Sequence, residues 1–249
     1  MIGQDRIMTE KYRFNHMIKK YTQYIKENKY VDIDPYGEED WDEDNLSPIL
    51  QIARKTGLPY DQITALDCYL ENLTNLDGIE NLINLKHLNC SYNQLTNLVG
   101  IENLINLKEL WCYGNQLTNL NGIENLTNLQ KLSCHNNQLT SLEGIENLTN
   151  LKLLHCGDNQ LTSLKAIANL INLKQLFCGN NQLTSLNGIE NLTNLKILYC
   201  PHNQLTKLDG IENLTNLRIL HCHKNLFSDD YTKYIRNYYF YKKGFQLYI

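Results

Sequence analysis

The chain lacks several features that mark common classes of protein. It has no basic excess, because 23 Lys and Arg stand against 27 Asp and Glu, and domains that neutralise phosphates usually carry surplus positive charge. No apolar run approaches the roughly 18 residues of a membrane span, and the N-terminus shows no hydrophobic segment typical of a secretory signal. We therefore expect no membrane association and a reducing, cytoplasmic environment.

Sequence motifs of common catalytic sites are also missing. There is no glycine-rich phosphate loop, no His-Glu-x-x-His zinc motif and no Gly-x-Ser-x-Gly nucleophile turn. We therefore predict that the protein is not an enzyme and needs no cofactor.

Cysteines are plentiful and regularly spaced. Eight of them recur at a constant interval of 22 residues, at Cys68, Cys90, Cys112, Cys134, Cys156, Cys178, Cys200 and Cys222. The unit reads L-x-x-L-x-C-x-x-N-Q-L-T-x-L-x-G-I-E-N-L-x-N, and its frame runs from Ile63 to Phe227. Internal repetition of this length predicts a stacked solenoid.

Each unit combines two hydrophobic periods. Leu110 and Cys112 alternate with polar or aromatic neighbours, which predicts a short strand with one buried face. Leu117, Leu120 and Ile123 then follow three residues apart, which suits a 3₁₀ or irregular return path. An asparagine follows each cysteine except the first, and its inward amide should satisfy backbone groups where the strand turns. This column is Asn93, Asn115, Asn137, Asn159, Asn181, Asn203 and Asn225, with Glu71 in the first unit.

The unit resembles the leucine-rich-repeat consensus, with cysteine at a strand position where leucine is more common. Its length is similar to that of the repeats of internalins and of a phosphatase-regulating protein. Its N-Q-L-T and G-I-E-N-L segments are similar to repeats of giant amoeba-infecting viruses, which would place the protein inside a host cell. The resemblance implies an α/β repeat solenoid, a leucine-rich-repeat horseshoe with a parallel concave sheet, a 3₁₀ or irregular convex side and helical N- and C-terminal caps.

Three regions follow from the repeat frame. Residues 1–62 are predicted to be an N-terminal helical cap, with helices at 9–28 and from Ser47 to Gly57 and an acidic loop at 38–44 between them. Residues 63–227 hold eight repeats, whose eight strands would span about 34 Å. Residues 228–249 should form a tyrosine-rich helical cap that begins near Ser228.

The segment L-K-A-I-A-N-L departs from the repeat in the unit of Cys156. Ala166 and Ala168 stand there in place of the recurring Gly and Glu. Either the recurring glycine is not held at positive φ, or this turn is locally reshaped.

Outward strand positions vary, although the inward positions repeat. Aromatic and histidine side chains recur just before and after the cysteines, and we expect them to project from the concave face as exposed anchors for a protein partner. The alternative is that they shield the strand backbone. The predicted partner-binding residues are Tyr92, Trp111, Tyr113, His135, His155, Phe177, Tyr199, His202, His221 and His223.

Other partners and sites are possible. A basic column comprises Lys86, Lys108, Lys152, Lys174, Lys196 and Arg218, and it suits nucleic acid or an anionic surface unless the repeated Glu column (Glu80, Glu102, Glu124, Glu146, Glu190 and Glu212) offsets it. The overall acidity makes nucleic acid the lesser alternative. Self-association through the aromatic strip or the C-terminal helix would make a homo-oligomer.

A metal site at the histidines and disulfide bonds between the cysteines are alternatives to simple packing of these side chains. His202, His221 and His223 are close enough in the repeat frame to converge on zinc. However, the sequence shows no residues that would orient these imidazoles by hydrogen bonds, so we predict no metal. The cysteines should be buried, reduced and inert, because neighbouring strands about 4.8 Å apart match disulfide geometry poorly and a straight ladder is a poor tetrahedral cage.

Overall fold

A computed structural model describes residues 46–240 and 244–249. The helix predicted at 9–28 and the acidic loop predicted at 38–44 lie outside the described residues.

The first described element is helix α1 (Pro48–Arg54), which begins where the sequence predicts. Ser47 is its N-cap, with Oγ accepting a hydrogen bond from the Leu50 amide at 3.4 Å, and Pro48 occupies the first helical position. Ile49 and Ala53 are fully buried in the core cluster. The helix thereby covers the first repeat, and Gly57 with φ +70° follows its end.

Eight strands of three residues each lie one repeat apart. They pair in parallel with their sequence neighbours, and leucines of adjacent repeats stand opposite each other, as Leu66 and Leu88 do. The strands are β1 (Ala65–Asp67), β2 (His87–Asn89), β3 (Glu109–Trp111), β4 (Lys131–Ser133), β5 (Leu153–His155), β6 (Gln175–Phe177), β7 (Ile197–Tyr199) and β8 (Ile219–His221). The middle leucine of each strand points inward and is buried. The predicted short strand with one buried face is confirmed.

A ninth strand extends the sheet beyond the repeats. After helix α2 (Asp229–Phe240) the chain returns as β9 (Gln246–Tyr248), which pairs in parallel with β8 through Leu220 and Leu247. The Cys222 amide donates to the Tyr248 carbonyl at 2.8 Å, as each earlier cysteine amide does to the next strand. The C-terminal region therefore holds a strand that the sequence did not predict in addition to its predicted helix, and nine strands make the face about 38 Å long instead of 34 Å.

The inward asparagines hold neighbouring turns together. Asn181 Oδ1 accepts from the Leu161 amide at 2.9 Å, and its Nδ2 lies 3.1, 3.2 and 3.3 Å from the carbonyls of Cys156, Cys178 and Gly179. The same pattern recurs at all seven asparagines of the column. Each side chain satisfies backbone groups of two successive turns, as the sequence predicts.

The cysteines lie on the inner side of the same turns. All eight are free and buried, and burial raises the pKa of Cys90 and of Cys134 to about 12. Since the thiolate is the reactive form, we expect native protein to react slowly with a thiol reagent and denatured protein to titrate eight thiols. Counting labels by mass spectrometry checks this, and fast labelling of most cysteines in native protein would contradict the inward placement.

The convex turns depend on glycine at positive φ. The recurring glycines have φ between +92° and +111°, and the glutamate two residues later accepts a hydrogen bond from the glycine amide, as Glu146 does from Gly144 at 2.9 Å. The Glu column therefore caps these turns, and among the described residues it forms no ion pair with the basic column.

The turn after Leu164 is built differently. Lys165–Ile167 is a 3₁₀ helix, so no glycine is needed at Ala166, and of the two alternatives local reshaping is correct. A Cβ on Gly188 in the next turn would lie 2.5 Å from the Leu164 carbonyl oxygen. Gly188 therefore combines a left-handed backbone with a close approach that a side chain would block.

Candidate binding face

Three outward columns run along the concave sheet. The first column stands three residues before each cysteine and comprises Ala65, His87, Glu109, Lys131, Leu153, Gln175, Ile197 and Ile219. The central column stands one residue before and comprises Asp67, Asn89, Trp111, Ser133, His155, Phe177, Tyr199 and His221. The third column stands one residue after and comprises Tyr69, Ser91, Tyr113, His135, Gly157, Gly179, Pro201 and His223.

Rings on this face form one continuous ladder. Successive ring centroids lie between 3.9 and 6.2 Å apart. In order, this ring ladder is Tyr69, Tyr92, Tyr113, His135, His155, Phe177, Tyr199, His221 and Tyr248. Spacings of this kind are typical of attractive aromatic contacts.

The ladder changes column halfway along the sheet. It follows the third column as far as His135, with Tyr92 in place of Ser91. It then steps to the central column at His155, whose ring stacks on that of His135 with centroids 3.9 Å apart. Neighbouring positions are small where the rings are large: a Cβ on Gly157 would lie 3.4 Å from His155 Nε2, and one on Gly179 would lie 3.1 Å from a Tyr199 ring carbon. Small residues of the third column therefore stand beside large rings of the central column.

Ring packing changes the predicted exposure of the anchors. Tyr113 is only 8% exposed, whereas Trp111, Phe177 and Tyr199 are half-buried, so these side chains are less exposed than the sequence predicts. Each ring covers its neighbours and the strand beneath, which is the shielding alternative. The ring edges that stay accessible belong to side chains that pack against neighbouring rings.

Tyr92 and His202 occupy a different position from the one predicted. They lie in the turns after β2 and β7 with φ of +54° and +52°, not on the strands themselves. Both remain exposed, and Tyr92 contacts the ladder rings of Tyr69 and Tyr113. They therefore border the concave face where the strands end.

An acidic side chain that sequence reasoning missed lies in the first half of the face. Glu109 is buried and stands 2.9 Å from Lys131 Nζ and 3.7 Å from His87 Nδ1. Burial raises the pKa of Glu109, but His87 and Lys131 together lower it to about 2. The signal was present in the first column, where an acid stands between two basic residues one repeat away on either side.

The second half of the face is apolar. In the first column Leu153, Ile197 and Ile219 are half-buried, and the ladder rings stand beside them in the central column. The basic column borders this half with Lys152, Lys174, Lys196 and Arg218, which are exposed and have no acidic ion-pair partner among the described residues. The two halves therefore differ in polarity, with the change between Lys131 and Leu153.

Burial lowers the pKa of three histidines on this face, His155, His221 and His223. Burial lowers the pKa of His155 to about 4, and burial together with His223 lowers the pKa of His221. The rings of His202 and His221 lie 5.8 and 6.5 Å from that of His223. In the described part of the chain no group of three or more metal-ligating side chains has the geometry to hold an ion.

The described residues include two α-helices, α1 of 7 residues and α2 of 12. Over the residues that the structure describes, no helix has the length and apolar character needed to cross a bilayer.

Comparison with known proteins identifies the fold family. A family model described as leucine-rich repeats in two copies matches 83–126, 105–148, 127–169, 149–191 and 193–232, together more than half of the chain. Internalin C2 from Listeria monocytogenes is 33% identical, with 68% of this chain and 75% of that one covered and a TM-score of 0.67. The functional domain of InlJ from the same organism, which includes a cysteine ladder, is 28% identical, with 68% and 46% covered and a TM-score of 0.53.

No match was found among curated proteins. The similarity to viral repeats is not tested by these findings and stays a prediction. The spans matched by the family model follow the 22-residue repeat, and the likeness to internalin C2 agrees with the parallel-stranded solenoid. The chain therefore belongs to the leucine-rich-repeat family.

Proposed function

We propose that the protein is a non-catalytic scaffold that binds a protein partner on its concave face. Leucine-rich-repeat proteins are generally scaffolds of this kind. The observation that carries the proposal is the contrast between constant inward positions and the variable central and third columns. Stacking of repeats explains leucine at every inward position, but it does not require Trp111 where Ser133 or Asn89 suffices.

Ring packing supports the proposal. Half-buried rings are held by their neighbours, so a partner that covers their edges immobilises few side chains. The proposed contact residues are the ten predicted from sequence, with exposed Tyr92 and His202 at the border. A rigid aromatic centre is typical of binding hot spots.

Nucleic acid or another anionic surface is the second candidate partner. It is favoured by the exposed basic column, whose side chains lack acidic ion-pair partners among the described residues. A salt titration separates the candidates, because phosphate contacts give a steep loss of affinity with salt and protein recognition a shallow one.

Three further parts of the proposal concern the whole chain. A cytoplasmic location is supported by the eight free thiols, because disulfides are rare in reducing compartments. The division at 62 and 227 into two caps and a repeat domain is supported by α1 and α2 at the ends of the described repeats. A homo-oligomer is supported by exposed Tyr234 and Tyr238 on α2, and light scattering measures it.

The concave face is tested with a partner captured from the native cell. We expect the variant with alanine at Tyr92, Trp111, Phe177 and Tyr199 to bind that partner at least about thirtyfold more weakly, because loss of a central anchor typically costs 2 kcal/mol or more. Calorimetric titration measures the affinity, and circular dichroism checks that the variant is folded.

The matched control removes aromatic area elsewhere. The double variant with alanine at Tyr234 and Tyr238, which are exposed on α2, should bind like the parent. If the folded concave variant retains parental affinity, the concave face is not the binding surface.

A further inference from the structure

We propose that the apolar half of the concave face, over strands β5 to β9, binds an amphipathic α-helix with an acidic flank that lies across the strands. This inference rests on the proposed function and names the kind of partner surface that the face fits.

Apolar contact comes from two parallel columns. Leu153, Ile197 and Ile219 form one, interrupted by Gln175, and the ladder rings from His155 to Tyr248 form the other. Residues two apart on a strand stand about 6.6 Å apart, so the columns make a shallow trough. The first half of the face is unsuited to an apolar partner because Glu109 and Lys131 occupy the same column there.

The trough suits a helix better than an extended peptide. The backbone amides and carbonyls of the sheet pair with neighbouring strands, so a strand lying on its face would leave its own backbone groups unsatisfied. A helix satisfies these groups internally, and its pitch of about 5.4 Å is close to the strand spacing of about 4.8 Å. Four steps from β5 to β9 cover about 19 Å, or about 13 helical residues.

The positive charge of the basic column favours acidic residues along one flank of the bound helix. Each basic residue directly precedes a first-column residue, so Lys152, Lys174, Lys196 and Arg218 border the trough along its length. All four are exposed, and the ion pairs within the described residues do not use them. Acidic side chains along that border of the helix would complement them.

The opposite border leaves room for the helix. Across β5 to β7 the third column consists of Gly157, Gly179 and Pro201, which present little side chain above the sheet. Gln175 interrupts the apolar column at half exposure and offers its amide to a polar group on the bound helix. The occupant is therefore apolar on its inner face and acidic beside the basic column.

Three peptides of 14 residues, each held helical by a staple on its solvent face, test the proposal. The first carries Leu along one face and Glu along one border, the second has the same residues in scrambled order, and the third has Lys in place of Glu. With the full chain and fluorescence anisotropy, we expect the first peptide to bind at least tenfold more tightly than the others. Equal binding by the scrambled peptide would overturn the proposal.

Variants of the chain locate the binding. Ile197→Ser with Ile219→Ser should weaken the Glu peptide at least tenfold, because both remove apolar side chains from the trough. Lys174→Glu with Lys196→Glu should weaken the Glu peptide and strengthen the Lys peptide. The matched control is Lys86→Glu with Lys108→Glu, which makes the same charge change beside the first half of the face and should leave binding unchanged.

Two outcomes separate this inference from the proposed function. If Lys86→Glu with Lys108→Glu weakens binding of the Glu peptide as much as the change at Lys174 and Lys196 does, the attraction is long-range and not specific to the trough. The inference would then be wrong. If no peptide binds while the concave aromatic variant still loses the natural partner, the helix is wrong and the concave face remains the binding surface.

Discussion

The Asn181→Leu variant should lose about 3 kcal/mol or more of its free energy of unfolding. The substitution keeps the approximate volume of the side chain but removes its bonds to the Leu161 amide and to the carbonyls of Cys156 and Cys178. Each buried backbone group left unsatisfied costs about 1 to 3 kcal/mol. Asn181 is only 8% exposed, so water does not readily replace the amide. Equilibrium denaturation in urea measures the loss.

An exposed asparagine of the same solenoid provides the control. Asn172 lies on the surface, and its Nδ2 donates one hydrogen bond to the Thr149 carbonyl at 2.9 Å. Asn172→Leu should therefore cost less than about 1 kcal/mol, because water can take its place. Similar losses for both variants would show that the inward amides do not hold neighbouring turns together.

The repeat made the fold predictable. Since every turn must stack on an equivalent turn, constant leucines, cysteines and asparagines specify the inner side of the solenoid, and the structure places them there. Helix α1 was predictable from Ser47 and Pro48 because capping is local chemistry. The first prediction depends on a pattern that repeats along the sequence, and the second on residues that are neighbours in the sequence.

Strand β9 was missed because it carries no cysteine and follows a helix. Its sequence nevertheless holds the signal, since Leu247 takes the inward position of Leu220 and Tyr248 the central position of His221. Alternation in Gln246–Tyr248 therefore resembles the start of another repeat. Three residues are too short a pattern to distinguish from chance without the neighbouring strand.

Side-chain exposure on the concave face could not be obtained from the pattern. The repeat predicts that Tyr113 points outward, but not that the rings of Tyr92 and His135 lie on either side of it. The column change between His135 and His155 likewise depends on rotamers and on glycine opposite the larger rings. The contact of Tyr92 with Tyr113 and that of His135 with His155 join non-equivalent positions of different repeats, so the period contains no information about them.

Histidine burial within this ladder predicts a pH-dependent loss of stability. The pKa of His155 falls from 6.5 to about 4 because burial disfavours the charged ring. A depressed histidine pKa means that the unfolded chain binds the proton first, so stability is complete above pH 6.5 and is lost as the pH falls towards 4. The loss attributable to His155 should reach about 2 kcal/mol at pH 5.

Urea denaturation of the parent and of His155→Phe at pH 7.5 and pH 5 isolates this contribution. Phenylalanine keeps a ring between His135 and Phe177 but has no proton to bind, so the variant should lose about 2 kcal/mol less than the parent on acidification. Asn172→Leu is the control, because that exposed substitution removes no titratable side chain and should therefore leave the pH dependence as in the parent. Glu109 does not interfere, since its pKa of about 2 against an ordinary 4.5 moves its contribution to lower pH. Equal pH dependence in the parent and His155→Phe would mean that the His155 ring is not held neutral within the ladder.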